Sequence, residues 1–197
     1  SDAPIEILRY IANKEFPCNS STKTFIKTAK VDSELFKYFE TYDKQIEAGL
    51  KNGVPQAFYK KADNGLLEFL FDQNKCTTYK PFENSFSGKT YLLVDSANSS
   101  AAFSMAEIAK KNNLAVLVGQ KTGGNKLGFN GGSYLFTYLP NSKFEFDIPV
   151  FGYYAMGERK DEGIVPDVPV QKKAKDIGGN FDRELDRIKE LIRLGDR

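Results

Sequence analysis

Residues 86–124 read FSGKTYLLVDSANSSAAFSMAEIAKKNNLAVLVGQKTGG, and this stretch decides the fold. Thr90-Tyr91-Leu92-Leu93-Val94 is a short, nearly continuous apolar run. Runs of that kind are strands buried on both faces, as in a parallel sheet. The small polar segment DSANSS follows. The spacing then predicts a helix from about Phe103 to Lys111, with Ala106, Ile108 and Ala109 available for packing and Asn112-Asn113 as its stop. Leu114 to Val118 is a second buried strand, ending at Gly119. Strand, helix and strand in that order form a crossover, the unit of α/β folds.

Downstream, glycine recurs at 119, 123, 124, 128, 131 and 132. Residues 133–139 and 143–148 alternate around Pro140-Asn141-Ser142 and predict a β-hairpin. Residues 151–162 read as a polar, Gly-interrupted loop, and Val165 to Val170 as an extended closing segment. A last amphipathic helix starts at Asn180 or Asp182 and buries Leu185, Ile188, Leu191 and Ile192. Upstream, Asp2 and Pro4 suit the start of a short helix carrying Ile7, Leu8 and Ile11, closed by Phe16-Pro17-Cys18. Residues 21–31 read as a strand or extended arm. Leu35, Phe36, Phe39, Tyr42, Ile46 and Leu50 lie at the spacing of one helix, closed by Gly53 and Pro55. Asn64-Gly65 marks a turn before a strand over Leu66–Phe71. The whole of 1–197 is thus one partial α/β domain, with 19–85 an inserted or less regular subregion.

Composition narrows the function. The hydrophobic fraction is 41%, with 16 Phe and 10 Tyr, enough for a packed core. Lys and Arg total 28 against 26 Asp and Glu, with no basic block, so nucleic acid is not an expected partner. The chain has no histidine, which removes the common zinc sites and any Ser-His-Asp triad within these residues. No metal or organic cofactor is expected. Cys18 and Cys76 are either one disulfide or two thiols. No apolar run approaches the about 20 residues that span a bilayer.

Ser104 is the leading candidate for chemistry. The predicted turn carries it to the carboxyl end of a strand and the start of a helix. There, free backbone N–H groups can stabilise an oxyanion, Met105 N–H first among them. The competing reading is a helix cap, a role open equally to Ser96, Ser99 and Ser100. Asp95 could brace the loop. Glu107 would complement the helix dipole, and Asp167 would anchor the closing segment.

These pieces together resemble the C-terminal-processing (tail-specific) serine peptidases. Phe103-Ser104-Met105-Ala106-Glu107 is similar to that family's Ser-Ala-x-Glu-like helix start. Gly119-Gln120-Lys121-Thr122-Gly123-Gly124 resembles its Gly-x-x-Thr-x-Gly turn, Leu139-Pro140-Asn141-Ser142 its strand-connecting turn, and Gly163-Ile164-Val165-Pro166-Asp167 its closing signature. The four occur in family order between residues 86 and 170. The resemblance implies a ClpP/crotonase-like catalytic core, an acyl-enzyme on Ser104, a polypeptide substrate, and an exported, periplasmic or cell-envelope protein. Pro4–Phe16 resembles the helix after the family's Asp-Leu-Arg strand and glycine-rich loop. That strand and loop are absent from the 197 residues, so a preceding portion of the same protein is an expected partner, self-association through exposed edges is a further expectation, and the chain alone is expected to be inactive.

The base has two readings. In Ser-Lys members the lysine follows the glycine-rich turn, which points to Lys126, with Lys121 second. The connection from Ser104 is four residues shorter than that type has. Members similar to the tricorn core protease use a histidine and a glutamate, the histidine lying upstream; here Glu162, Asp161 or Glu158 would be the acid. A non-catalytic relative that binds peptide, or a structural domain in which Ser104 only caps a helix, are the alternatives.

Overall fold

The computed structural model describes residues 3–17, 22–70, 77–179 and 181–195. Cys18, Cys76, Asp2 and Asn180, each given a role above, lie outside the described residues. In chain order the elements begin with α1 (Ala3–Ile11), β1 (Phe16–Pro17), β2 (Thr22–Ile26), a 3-10 helix (Ser33–Tyr38), β3 (Phe39–Glu40) and α2 (Lys44–Asn52). Next come a 3-10 turn (Gln56–Phe58), β4 (Tyr59–Lys61), β5 (Leu67–Phe69), β6 (Thr78–Tyr79), β7 (Tyr91–Val94), α3 (Ser100–Lys111) and β8 (Val116–Gly119). The last are β9 (Gly128–Tyr138), β10 (Glu145–Ala155), β11 (Val168–Pro169), α4 (Ala174–Gly178) and α5 (Arg183–Arg193). They form two compact units.

The first unit comprises residues 1–20, 76–126 and 160–197. Its centre is the predicted crossover: β7 and β8 pair in parallel, Tyr91 opposite Val116 and Val94 opposite Gly119, with α3 between them in sequence. The strand β11 adds in parallel to the other side of β8, so β8 is the middle strand. Its Leu117 and Val118 are completely buried. The amphipathic α1 brings Leu8 into the same core, where it meets Phe103, Ala106 and Ala109 of α3. Full burial of one such leucine is worth about 1.5–3 kcal/mol. Asp167 locks the closing segment onto the sheet: its N–H donates to Leu117 O at 2.8 Å, and its Oδ2 accepts from Leu117 N at 2.9 Å. Lys110 Nζ lies 2.8 Å from the other carboxylate oxygen. Contrary to the expectation of double-sided burial, β7 is an edge strand among the described residues and Leu93 is exposed. Asp182 caps α5, accepting from Leu185 N.

The second unit comprises residues 21–75 and 127–159. It is a six-stranded antiparallel sheet in the order β3-β9-β10-β2-β5-β4. The predicted hairpin is present and longer than expected. Residues 151–155 continue β10 and pair with β2, Phe151 opposite Ile26, so they are not the loop anticipated for 151–162. Aromatic side chains alternating along Phe151-Gly152-Tyr153-Tyr154 supply the period of a strand. The single helix expected over 35–50 is broken into three pieces. Asp32 caps the 3-10 helix, Phe39 and Glu40 pair with Thr137 and Phe136, and Asp43 starts α2 by accepting from Gln45 N and Ile46 N. Pairing with β9 overrides the helical spacing, and the second cap restarts the helix. Between Tyr134 and Gly131 the pairing with β10 slips at a bulge, and Ser133 Oγ there donates to Asp43 Oδ2 at 2.9 Å.

Candidate active site

The loop leaving β7 is held by two side chains of its own. Asn98 Oδ1 accepts from Asp95 N at 2.6 Å, and Asp95 Oδ1 accepts from Ala97 N at 2.9 Å. Asp95 therefore braces the loop. The glycine-rich turn then packs directly on it. A Cβ on Gly123 would sit 2.0 Å from Ser96 O, and one on Gly124 would sit 2.6 Å from the Phe103 ring. Gly124 N donates to Asn98 O at 2.9 Å. Two adjacent glycines are needed here, Gly123 because the turn meets the loop backbone and Gly124 because it lies against the Phe103 side chain. Thr122, buried, ties the turn to the closing segment: its N–H donates to Ile164 O, and its Oγ1 accepts from Ile164 N at 2.8 Å.

The helix begins at Ser100, three residues before the expected Phe103. This corrects three expectations. Ser104 is the fifth residue of α3, half-buried in the second turn rather than at the entrance. Met105 N–H lies inside the regular helical ladder, and its side chain packs against the core, so it is not a free oxyanion donor. Glu107 is beyond the first turn and does not meet the N-terminal end of the dipole.

The group at the entrance is Ser100. It is exposed and has φ 48°, a left-handed conformation uncommon for a residue with a Cβ. Such strain costs about 1–3 kcal/mol and clusters at functional turns. The preceding Ser99 is the N-cap in extended conformation, with no side-chain cap hydrogen bond, and its carbonyl accepts from Phe103 N at 3.2 Å. The N–H groups of Ala101 and Ala102 therefore precede the first intrahelical bond, and both residues are exposed. Buried Phe103 pins the helix behind them. The sequence offered Ser100 only as one of several competing helix caps.

Lys126 and Glu162, read as catalytic groups of two different mechanisms, are brought to each other. Lys126 Nζ lies 2.8 Å from Glu162 Oε1, and Lys126 N donates to Glu162 O at 3.2 Å. The hydrogen bond from Lys126, then its charge, hold the Glu162 carboxyl below its ordinary value. Lys121 and Asp161 are exposed in the first unit, and Glu158 is exposed in the second. Among the described residues, no group of three or more His, Cys, Asp or Glu could hold a metal ion.

A strand–helix–strand crossover, a left-handed serine at the helix entrance and a glycine turn packed on the same loop make up this α/β core. The model of peptidase family S41 matches residues 19–170, and the chain belongs to that family of serine peptidases. No curated protein matches it in sequence. Solved structures of CPAF are among those that share its fold. A serine-to-alanine mutant of CPAF is 17% identical, with a TM-score of 0.54, over 98% of this chain and 40% of that one. Mature CPAF is 16% identical (TM-score 0.52) and mature CPAF complexed with lactacystin 14% (TM-score 0.51), each over 96% of this chain and 40% of its own. The chain thus spans about 40% of the length of these structures.

Proposed function

We propose that the protein of which these 197 residues are a part is a serine endopeptidase, with Ser100 in place of Ser104 as its nucleophile. The observation that carries this reading is Ser100 itself: exposed, left-handed in φ, and first in a helix whose opening amides precede the first intrahelical hydrogen bond. A base removes the Ser100 proton as Oγ attacks a peptide carbonyl. The N–H groups of Ala101 and Ala102 receive the developing oxyanion. The C–N bond breaks, the amine leaves with a proton from the base, and water then hydrolyses the acyl-enzyme.

The base lies outside this chain. There is no histidine here, and Lys126 is already held by Glu162. A histidine supplied by another portion of the same protein, oriented by Glu162, completes the set, and Lys126 keeps Glu162 ionised until then. These residues alone are inactive on this reading. Trimming of protein C-termini and export to a periplasm or cell envelope are the further expectations of the resemblance. No helix of the described residues is long and apolar enough to cross a membrane.

The test is labelling of the full-length protein by a serine-reactive phosphonate, with Ser100→Ala and Ser104→Ala compared. Loss of labelling only in Ser100→Ala is expected. Loss only in Ser104→Ala would refute the reassignment, and undiminished labelling of both variants would remove the nucleophile from this loop. A second reading is a relative that binds peptide without cleaving it. It predicts no labelling of the wild type.

A further inference from the structure

The glycine-rich turn has a second neighbour besides the nucleophile loop. On its other side it meets the segment that carries Glu162, and Thr122 stands at that junction. Thr122 is buried, 4% exposed, and so is its partner Ile164, at 3%. Thr122 N donates to Ile164 O at 3.1 Å, and Ile164 N donates to Thr122 Oγ1 at 2.8 Å. The backbones meet there as well: a Cβ on Gly163 would sit 2.0 Å from Thr122 O and 3.1 Å from Thr122 Oγ1. Farther along the turn, Lys126 N donates to Glu162 O at 3.2 Å. Residues 162–164 are thus seated on residues 122–126 through main-chain donors, and one of the acceptors is a side-chain oxygen.

That oxygen has a specific task. Ile164 N is buried, and a buried donor left without an acceptor costs more than an ordinary hydrogen bond returns. The Thr122 hydroxyl meets this need and gives the closing segment one register on the turn. The turn is fixed in the same way to the loop of Ser100: Gly124 N donates to Asn98 O, and Gly123 lies against Ser96 O. Ile164 and Phe103 of α3 also share one buried core. A rigid path therefore runs from the Ser100 loop through the turn to Thr122, and from Thr122 to the residues that carry Glu162. A buried threonine with a satisfied hydroxyl is ordinary core. What distinguishes Thr122 is that the two segments it joins bear the two chemical groups of the site, and all of them belong to the first unit.

We propose that Thr122 is a positioning residue of the candidate active site, its hydroxyl setting where Glu162 stands relative to Ser100. This rests on the reading of Ser100 as nucleophile and Glu162 as the acid that orients a histidine. A site works when the groups behind it hold the acting side chains in place, and a displacement of about 1 Å costs about a hundred-fold in rate.

Thr122→Val keeps the shape and removes the acceptor, whereas Thr122→Ser keeps the acceptor and removes a methyl group. The Glu162 carboxyl is titrated by NMR in the 197-residue chain. It is held below its ordinary value by Lys126 first, through hydrogen bond and charge, with Lys160 and Lys121 adding to this against the opposing effect of burial. The rate of phosphonate labelling is measured in the full-length protein. Thr122→Val should move the titration upward and slow labelling about ten- to a hundred-fold. Thr122→Ser should keep both near wild type. Gly163→Ala pushes the same junction apart from the other side and should act as Thr122→Val does, which keeps the test open if the valine variant does not fold. Ile188→Val trims the core at α5, outside the junction, and should lower the melting temperature while leaving titration and labelling unchanged. Circular dichroism checks the fold of each variant. Wild-type behaviour of Thr122→Val in either readout would overturn the inference. So would equal losses in Thr122→Val and Thr122→Ser, or an Ile188→Val that moves both readouts as far. A wild-type protein that is not labelled removes the serine-peptidase reading and this inference with it, whereas an unmoved titration beside a labelled wild type removes this inference alone.

Discussion

Replacing Gly123 with alanine tests whether the glycine turn sets the position of the nucleophile loop. The added Cβ would stand 2.0 Å from Ser96 O, where ordinary contact begins at 3.4 Å, so about 1.4 Å must open between the turn and the loop. The obstacle is a backbone carbonyl, not the end of a flexible side chain, so it cannot swing away. Overpacking of that kind costs about 1–3 kcal/mol. A displacement of about 1 Å at reacting groups costs about a hundred-fold in rate. The first number is read from urea denaturation of the 197-residue chain. The second is read from the phosphonate-labelling rate of the full-length protein. Gly49→Ala is the control. Gly49 lies within α2, and a Cβ added there would meet nothing within 4 Å, so alanine should stabilise by up to about 1 kcal/mol. Gly123→Ala matching wild type in both stability and labelling would refute the claim that backbone contact between turn and loop positions the serine.

Ser100→Gly should be neutral or stabilising, because glycine relieves the left-handed strain, whereas Ser104→Gly in the helix interior should cost up to about 1 kcal/mol; thermal melts of the two decide which serine stands at the entrance. Asp43→Ala removes both the α2 cap and the acceptor of Ser133, and should destabilise the second unit by about 1–2 kcal/mol in denaturation. The Asp43 carboxyl is held low by the hydrogen bond from Ile46 N first, then that of Ser133. Its contribution is therefore complete above the ordinary carboxylate value and fades as pH falls through the lowered one, so the wild-type and Asp43→Ala melting curves should converge in acid. Lys126→Met should let the Glu162 carboxyl rise toward its ordinary value, seen as an upward-shifted NMR titration; an unmoved titration would show that Lys126 is not its main partner.

How much could be read before folding differs from place to place. The β7–α3–β8 crossover was legible because two apolar runs of strand length flank a helix-forming segment, and local pattern alone specifies that unit. The turn over Asn64-Gly65 was legible for the same reason: Asn64 Oδ1 accepts from Leu66 N, a bond made within three residues. The start of α3 was missed because four nearby serines compete as caps, and the choice among them depends on the turn packed against the loop from residues 123–124. The splitting of residues 33–52 was missed because Phe39 and Glu40 find partners at Thr137 and Phe136, nearly a hundred positions away.

By itself, then, the order of residues determined the α/β class, the family's four ordered pieces and the absence of an imidazole. Tertiary structure alone decided which serine opens the helix, that Lys126 and Glu162 hold each other, and that β10 runs on to pair with β2. The physical reason is range. Hydrophobic periodicity and capping act over a few residues, whereas strain, ion pairing and sheet pairing depend on which distant segments arrive at one point in space.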